Sequence, residues 1–398
     1  MKNMLYKAKG ALALTLAVSI CGAQCVPVFA AEALSAAQQG VQVTPVKELT
    51  EEEKAALQLP KLTAEEALAK AKKHSPNLRE IQDTLDYLDD TLDDIDRSAG
   101  GTVTVPNVEY KKWVNDGWQK VVSAVYQAEQ GKKQARIGEE LQNLGLEVSV
   151  KSYFTSIKSS EDSLALTKKN AEIQKKLYEQ GKEKNRLGLL SRYKIAAKQA
   201  QDNVALLEAS MEQLYIKLND LMGEKADARF EYVYDVAYTP YKLGLPMEQY
   251  LNAALKKDLT VQLKELALDS AKFTKNYVGE SNTRLDSNTQ EYNYDTAKRN
   301  LKTAKTDKEM AIRNAYLQLQ QMETQITSAQ SSLTKAQADY RAAQINLRAG
   351  NVTKTAVEQA EMGVVSAQNS LNQLIYNYDM LVFTFENPSL LGNTAQAQ

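Results

Sequence analysis

The residues that could do chemistry are few and scattered. One histidine, His74, stands just before Ser75-Pro76. Histidine changes charge near neutral pH, but acid–base or nucleophilic catalysis needs a second group within hydrogen-bond reach. No Cys/His cluster, phosphate loop or nucleophile elbow accompanies it, so His74 reads as a residue capping or flanking a helix end. The acidic run Asp83 to Asp96, DTLDYLDDTLDDID, offers carboxylates to calcium. It lacks the glycine and spacing of an EF-hand loop, and Leu85, Leu88, Leu92 and Ile95 turn it into an amphipathic helix with a charged outer face. Lys182, Lys184, Arg186, Arg192, Lys194 and Lys198 concentrate positive charge, which either steers an acidic partner or solvates a helix end. No catalytic constellation, cofactor site or metal site emerges, and the expected function is structural and not enzymatic.

Stepping from these residues to the elements around them, the N-terminus reads as a secretory signal. Lys2, Lys7 and Lys9 precede an apolar stretch from Ala11 to Ile20, and Val28-Phe29-Ala30 offers a small-residue cleavage site. The stretch is interrupted by Gly22, Gln24 and Pro27 and is short for a membrane span. Cys21 and Cys25 both lie inside the expected signal, so the mature chain is expected to hold no disulfide and no thiolate-bound metal. Losing the three lysines takes the formal charge from −1 to −4, mildly acidic, with no electrostatic case for nucleic acid.

Only 8 prolines and 17 glycines punctuate 398 residues, and Ala, Gln, Lys, Glu and Leu dominate the long tracts between them, a composition of long helices. An internal repeat organises those tracts. Gly188-Leu189-Leu190-Ser191 aligns with Gly350-Asn351-Val352-Thr353, and at the same offset Ile195 falls on Val357. Leu190, Tyr193, Ala197, Ala200, Val204, Leu207, Met211, Leu214, Leu218 and Leu221 follow one another in steps of three and four. So do the runs from Leu319 to Leu347 and from Val357 to Leu381, each a coiled-coil seam. Gly188 and Gly350 each fall between two such helices, where a tight reversal calls for a residue that tolerates positive φ.

The fold class is therefore mainly α: a two-fold repeat of long antiparallel helical hairpins, a coiled-coil protomer of an α-barrel, with little or no β-barrel. The expected organisation is a signal peptide (1–30), an extended segment (31–61), a first repeat (62–223) with its tip near 188, and a linker (224–245). A second repeat (246–388) with its tip near 350 and a disordered tail (389–398) complete it. Arg229 to Tyr234, RFEYVY, alternates like a short strand.

Four features resemble the TolC-like outer-membrane efflux protein family. They are Leu62-Thr63-Ala64-Glu65-Glu66-Ala67-Leu68 with Ser75-Pro76-Asn77-Leu78, the two-fold repeat, the Arg186-Leu187-Gly188-Leu189 tip, and Leu221-Met222-Gly223. The resemblance implies a homotrimer whose hairpins form a helical tunnel in a tripartite efflux or type I secretion system of the cell envelope. The tips would meet a periplasmic adaptor (membrane fusion) protein linked to an inner-membrane transporter. The corresponding docking residues would be Arg186, Leu187, Gly188, Leu189, Ser191, Gly350 and Thr353.

Two departures from that pattern stand out. The family places a strand hairpin in each half; here the candidates are Thr102 to Tyr110, broken by Pro106, and the polar segment Phe273 to Tyr294, so the barrel is expected to be reduced or missing. At the second tip the family's acidic constriction positions map to Ala356 and Gln359, and the nearby Glu358 and Glu361 read as a solvated helix face. The alternative to a conduit is an exported coiled-coil scaffold or envelope spacer that kept the hairpins without transport.

Overall fold

The computed structural model describes residues 59–103, 116–183, 187–278 and 284–392. The expected signal peptide, most of the extended segment, and the tail beyond Gly392 lie outside the described residues.

Each half begins with a capped pair of short helices. Strand β1 (Lys61–Thr63) leads into α1 (Ala64–His74). Thr63 and Glu66 form a reciprocal capping box, Glu66 N–H donating to Thr63 Oγ1 at 3.2 Å and Thr63 N–H to Glu66 Oε2 at 3.0 Å. The motif that opens the first repeat is thus a helix start, with Leu62 and Ala67 buried behind it. Ser75 then caps α2 (Pro76–Ala99), with proline at the first turn where its missing N–H costs nothing. In the second half α5 (Met247–Lys257) and α6 (Leu259–Phe273) repeat the plan, and Asp258 takes the place of Ser75, accepting from Val261 N–H at 2.8 Å.

Two very long helices run the length of the molecule. Helix α3 (Asp116–Glu183) has 68 residues, about 102 Å at 1.5 Å per residue, and α7 (Arg284–Arg348) has 65. Helix α4 (Leu187–Met222) returns along α3, and α8 (Lys354–Glu386) along α7. On the tip side the helices lie in the order α4, α3, α8, α7; at the far end α2 packs on α3, α6 on α7, and α3 on α6. The seams read from the sequence are the covered faces: Ala200, Met211 and Leu218 are buried on α4, Leu319 and Ile326 on α7, Leu371 and Tyr378 on α8.

Where the short and long helices meet, each half has its own core. The first gathers Leu62, Ala71, Leu146, Val150, Phe154, Ile157, Leu218 and Tyr232. The second gathers Leu251, Ile312, Ala315, Leu319, Leu371, Tyr378, Phe385 and Leu391. The RFEYVY segment supplies β2 (Glu231–Val233), which pairs in parallel with β1, Leu62 opposite Tyr232. The chain then crosses to the second half as an aromatic strap. Tyr234 OH donates to Asp379 at 2.9 Å and Tyr241 N–H to Tyr378 OH at 2.7 Å, with Tyr238 edge-on to Tyr378.

The segment considered for a second strand, Phe273 to Tyr294, is helical wherever it is described. α6 runs through Phe273 into a π-helical turn (Thr274–Val278), and α7 starts at Arg284. Among the described residues no helix is long and apolar enough to cross a membrane.

Candidate functional site: hairpin tips, inter-hairpin seam and open edges

The second tip is a tight C-cap followed at once by an N-cap. Gly350 takes φ +76°, with its N–H on Leu347 O at 3.0 Å and Asn351 N–H on Asn346 O at 2.9 Å. This paired arrangement closes a helix through a left-handed residue. Thr353 then starts α8, its hydroxyl accepting from Ala356 N–H at 3.3 Å. Both residues expected at this tip therefore sit in the turn itself.

The first tip is described only in part. Helix α4 begins at Leu187, so Gly188 lies in its first turn and not in the reversal. Residues 184–186, Arg186 among them, lie outside the described residues. Side chains at Leu187, Gly188 and Leu189 are likewise undescribed; Ser191 is exposed on α4. A glycine that the sequence reading passed over shapes this end instead. A Cβ on Gly181 would come within 3.0 Å of the Tyr193 ring, so its absence lets α3 and α4 close together near the tip.

Between the tips and the cores, α3 and α8 are stitched by polar contacts. Lys176 pairs with Glu358 at 2.9 Å and Lys169 with Glu361 at 2.6 Å. Asn369 and Asn372 donate to Asp162, at 2.7 Å to its backbone O and 2.9 Å to its carboxylate. Lys151 lies 3.6 Å from Asp379 and caps the Phe383 ring. Glu358 is therefore no solvated residue: its side chain is 17% exposed, and it raises the pKa of Lys176 through their hydrogen bond. Neither glutamate's spacing within α8 could show this, because the partners come from a helix some 180 residues away.

The other candidates from the sequence fall on structural duties. His74 ends α1 with its ring over Gly223, where an added Cβ would lie 2.4 Å from Nδ1. The acidic run lies along α2, with Leu85 buried and Asp86, Asp89, Asp90, Asp93 and Asp94 exposed. Among the described residues no group of three or more His, Cys, Asp or Glu could hold a metal ion.

Helices α4 and α7, at the two edges of the tip-side layer, each carry an exposed stripe besides the seam they use. On α7 it is Met310, Leu317, Thr324, Ser331, Ala338 and Ile345, one per heptad, all exposed, the three large residues at 53%, 60% and 65%. On α4, Ile195, Leu206 and Ile216 are exposed at 58%, 53% and 40%. A second heptad stripe on a helix that already packs one seam marks a face suited to another helix.

No protein-family model and no curated protein matches the sequence. Solved structures do match the fold. VceC, an outer membrane protein of Vibrio cholerae, superposes with TM-score 0.57 at 16% identity, over 83% of this chain and 96% of that one. The CmeC outer membrane channel of Campylobacter jejuni gives 0.62 at 13%, over 89% and 95%. The outer-membrane channel OprN gives 0.60 at 13%, over 83% and 90%. The chain has the TolC-like outer-membrane-channel fold, an almost wholly helical coiled-coil version of it.

Proposed function

We propose that this protein is a structural tunnel subunit of an envelope-spanning efflux or type I secretion system, working as a homotrimer. The observation that carries this reading is the pair of edge stripes. Among the described residues α7 packs lengthwise on the tip side against α8, and α4 against α3, which leaves each with an outer edge. Joining α7 of one copy to α4 of the next buries both stripes head to tail, and such a contact closes into a ring when the rotation fits. A ring of hairpin layers encloses a tunnel, and a tunnel needs no catalytic group. The solved channels of the same fold support the reading.

The tips form the entrance in this scheme. Arg186, Leu187, Gly188, Leu189 and Ser191, with Gly350 and Thr353, are the proposed contacts to a periplasmic adaptor, itself joined to an inner-membrane transporter. Signal, first repeat, linker and second repeat keep the boundaries read from the sequence, and the protein acts in the cell envelope after export.

Light scattering coupled to gel filtration tests the assembly: an elongated trimer is expected, and a stable monomer at micromolar concentration overturns it. Docking is tested separately. Gly350→Val forces a β-branched residue toward positive φ, at about 1–3 kcal/mol, small against the burial along the hairpin. The variant should keep its helicity and assembly but lose adaptor crosslinking and efflux, while substitution of exposed Lys175 should change neither. If the valine variant transports and crosslinks normally, the tips are not the docking site; if the unaltered chain supports neither efflux nor adaptor crosslinking, a scaffold without transport becomes the better reading. That alternative is favoured by the helical turns that flank 279–283, Thr274–Val278 before and α7 after, in the segment where the resemblance would put a strand hairpin.

A further inference from the structure

The tip-side layer of helices has two unlike faces. The aromatic strap crosses one of them. Tyr241 N–H donates to Tyr378 OH on α8 at 2.7 Å and to Glu323 on α7 at 3.1 Å, and the Tyr234 ring lies 6.0 Å from Phe154 on α3. At 3.6 residues per turn, two steps along a helix turn a side chain by about 200°, onto the other face. There α3 sets Ser152, Ser156 and Ser163, each about 160–180° around the helix from Phe154, and Asn170 and Gln174 continue the line. None of these residues is charged.

Helix α8 shows the sorting most clearly. From Thr355 to Phe385 its only charged residues are Glu358, Glu361 and Asp379, and Lys176, Lys169 and Lys151 of α3 draw all three into the seam. The exposed residues of the same stretch are Gln359, Gly363, Ser366, Ser370, Gln373 and Asn377, in steps of three and four along one face. Asn377 joins Gln318, Gln321 and Gln325 of α7 around a groove of about 350 Å³ floored by Met322, Met380 and Leu381. Gln321 stands about 200° around α7 from Glu323, so the groove opens on the face away from the strap. In a chain of which 25% is charged, this face has been kept neutral.

A closed ring must turn one face inward. Twelve helices, four from each of three copies, spaced about 8–10 Å apart make a ring roughly 30–38 Å across, of which the helices fill about 10 Å. Three tyrosine-rich straps would crowd that space, so they belong outside. We propose that the strap-free face lines the tunnel and that its wall over this stretch carries no fixed charge. Such a passage suits polar organic solutes that form hydrogen bonds, whatever the sign of their charge. This rests on the tunnel reading. Charge fixed in a narrow cleft focuses the field and sorts solutes by sign; hydroxyls and amides donate and accept without sorting.

Thiol chemistry tests both halves of the proposal. In the full chain with Cys21 and Cys25 changed to serine, Gln373→Cys places a thiol on the neutral face and Thr239→Cys one on the strap, both at exposed positions. Light scattering first establishes the assembly. In the trimer, a maleimide carried on a polyethylene glycol too wide for the tunnel should label the strap thiol and spare the other. Small cationic and anionic methanethiosulfonates should then modify the thiol at position 373 in the same rate ratio that they show with free mercaptoethanol. Adding Ser370→Glu should raise that ratio severalfold, because three carboxylates then share one confined passage. Equal labelling of both thiols by the wide reagent, or no response to Ser370→Glu, overturns the inward placement. A bias of about tenfold or more between the two small reagents without that glutamate overturns the neutral wall. A trimer with either result leaves the tunnel standing and sinks this inference alone, whereas a stable monomer sinks both.

Discussion

The two halves of the molecule solve one problem with different chemistry. Each must hold a short helix pair against the end of its returning helix. The first half keeps its buried lock neutral, with the charged pairs Lys70–Glu224 and Arg229–Glu212 partly exposed around it: Asn219, fully buried, donates to Ala226 O at 3.3 Å and Ala228 O at 2.9 Å, and Gly223 at φ +71° lets His74 lie over the helix end. The second half uses charge. Lys308, 6% exposed, lies 2.9 Å from the fully buried Asp258 carboxylate and donates to Pro388 O at 2.9 Å and Leu391 O at 2.5 Å. Ser389 Oγ completes the clasp by accepting from Leu259 N–H. The neutral version holds a chain that continues into the β2 strand and the strap. The ionic version holds 388–391, a segment with no such strand after it among the described residues.

Alkaline titration acts on both halves at once and has the largest effect. Burial raises the pKa of Tyr215 and Tyr234 in the first half, of Tyr232 to about 12, and of Tyr250 and Tyr378 in the second. The unfolded chain releases these protons near pH 10, whereas the folded chain keeps them. Stability is therefore whole below pH 10 and is lost as pH rises through the folded values. Tyrosine absorbance and helical circular dichroism should change together above pH 10. Because the strap joins the halves, one transition is expected; two separate ones would show that the halves unfold independently.

Breaking the ionic lock comes next. Lys308→Met keeps an unbranched apolar stem but strands a buried carboxylate and two carbonyls, a loss of about 3–5 kcal/mol. Asn219→Ala, its neutral counterpart, should cost about 1–3 kcal/mol. Urea unfolding of both variants measures the difference, and equal losses would erase the contrast between the halves.

The glycines sharpen it further. Gly392 and Gly350, at φ +85° and +76°, have room for a methyl group, with Ala311 Cβ no nearer than 3.7 Å to the first and nothing within 4 Å of the second. Alanine at either should cost about 1 kcal/mol from the left-handed backbone alone. Gly223→Ala adds the collision with His74, and about 2 kcal/mol in total is expected; a left-handed backbone accounts for roughly half of that. Adding His74→Ala should return Gly223→Ala to the level of the other two, and a double variant no better than the single one would clear His74 of any part.

Much of this architecture was legible in the sequence because it is local. Three-four spacing named the covered faces of α4, α7 and α8, since a seam residue reports its own helix. Gly350 and Thr353 were legible because a left-handed turn and an N-cap each demand particular residue types. Gly188 differs from its repeat mate in falling inside the first turn of α4, a shift of register that the alignment of the two halves does not reveal. Partners across the fold were not legible: Lys308 finds Asp258 fifty residues away, and Glu358 finds Lys176, through packing that leaves no period in either helix. The edge stripes were missed because Thr324 and Ser331 interrupt the large apolar residues in a heptad that the burial pattern makes visible.

The smallest effect belongs to the seam that joins the hairpins, and it too divides into a charged and a neutral part. Near the tips the contacts are ionic and partly open to water: Lys176 is 48% exposed and Lys169 is 28% exposed. Exposed pairs gain little, because water screens the attraction and two long side chains must be held still. Nearer the cores, Asn369 donates to the backbone carbonyl of Asp162, a contact with no net charge on either partner group. Asn369→Ala should cost about 1 kcal/mol, the net value of an ordinary hydrogen bond, and that loss should not depend on salt. Glu358→Gln should lower the unfolding midpoint slightly in dilute buffer, and the shift should vanish at about 1 M salt, where the screening length falls to about 3 Å. Urea midpoints for both variants across a salt series decide the matter. If Glu358→Gln stays destabilising at high salt, the pair is more deeply desolvated than its exposure indicates, and the tip end of the seam is locked as firmly as the core end.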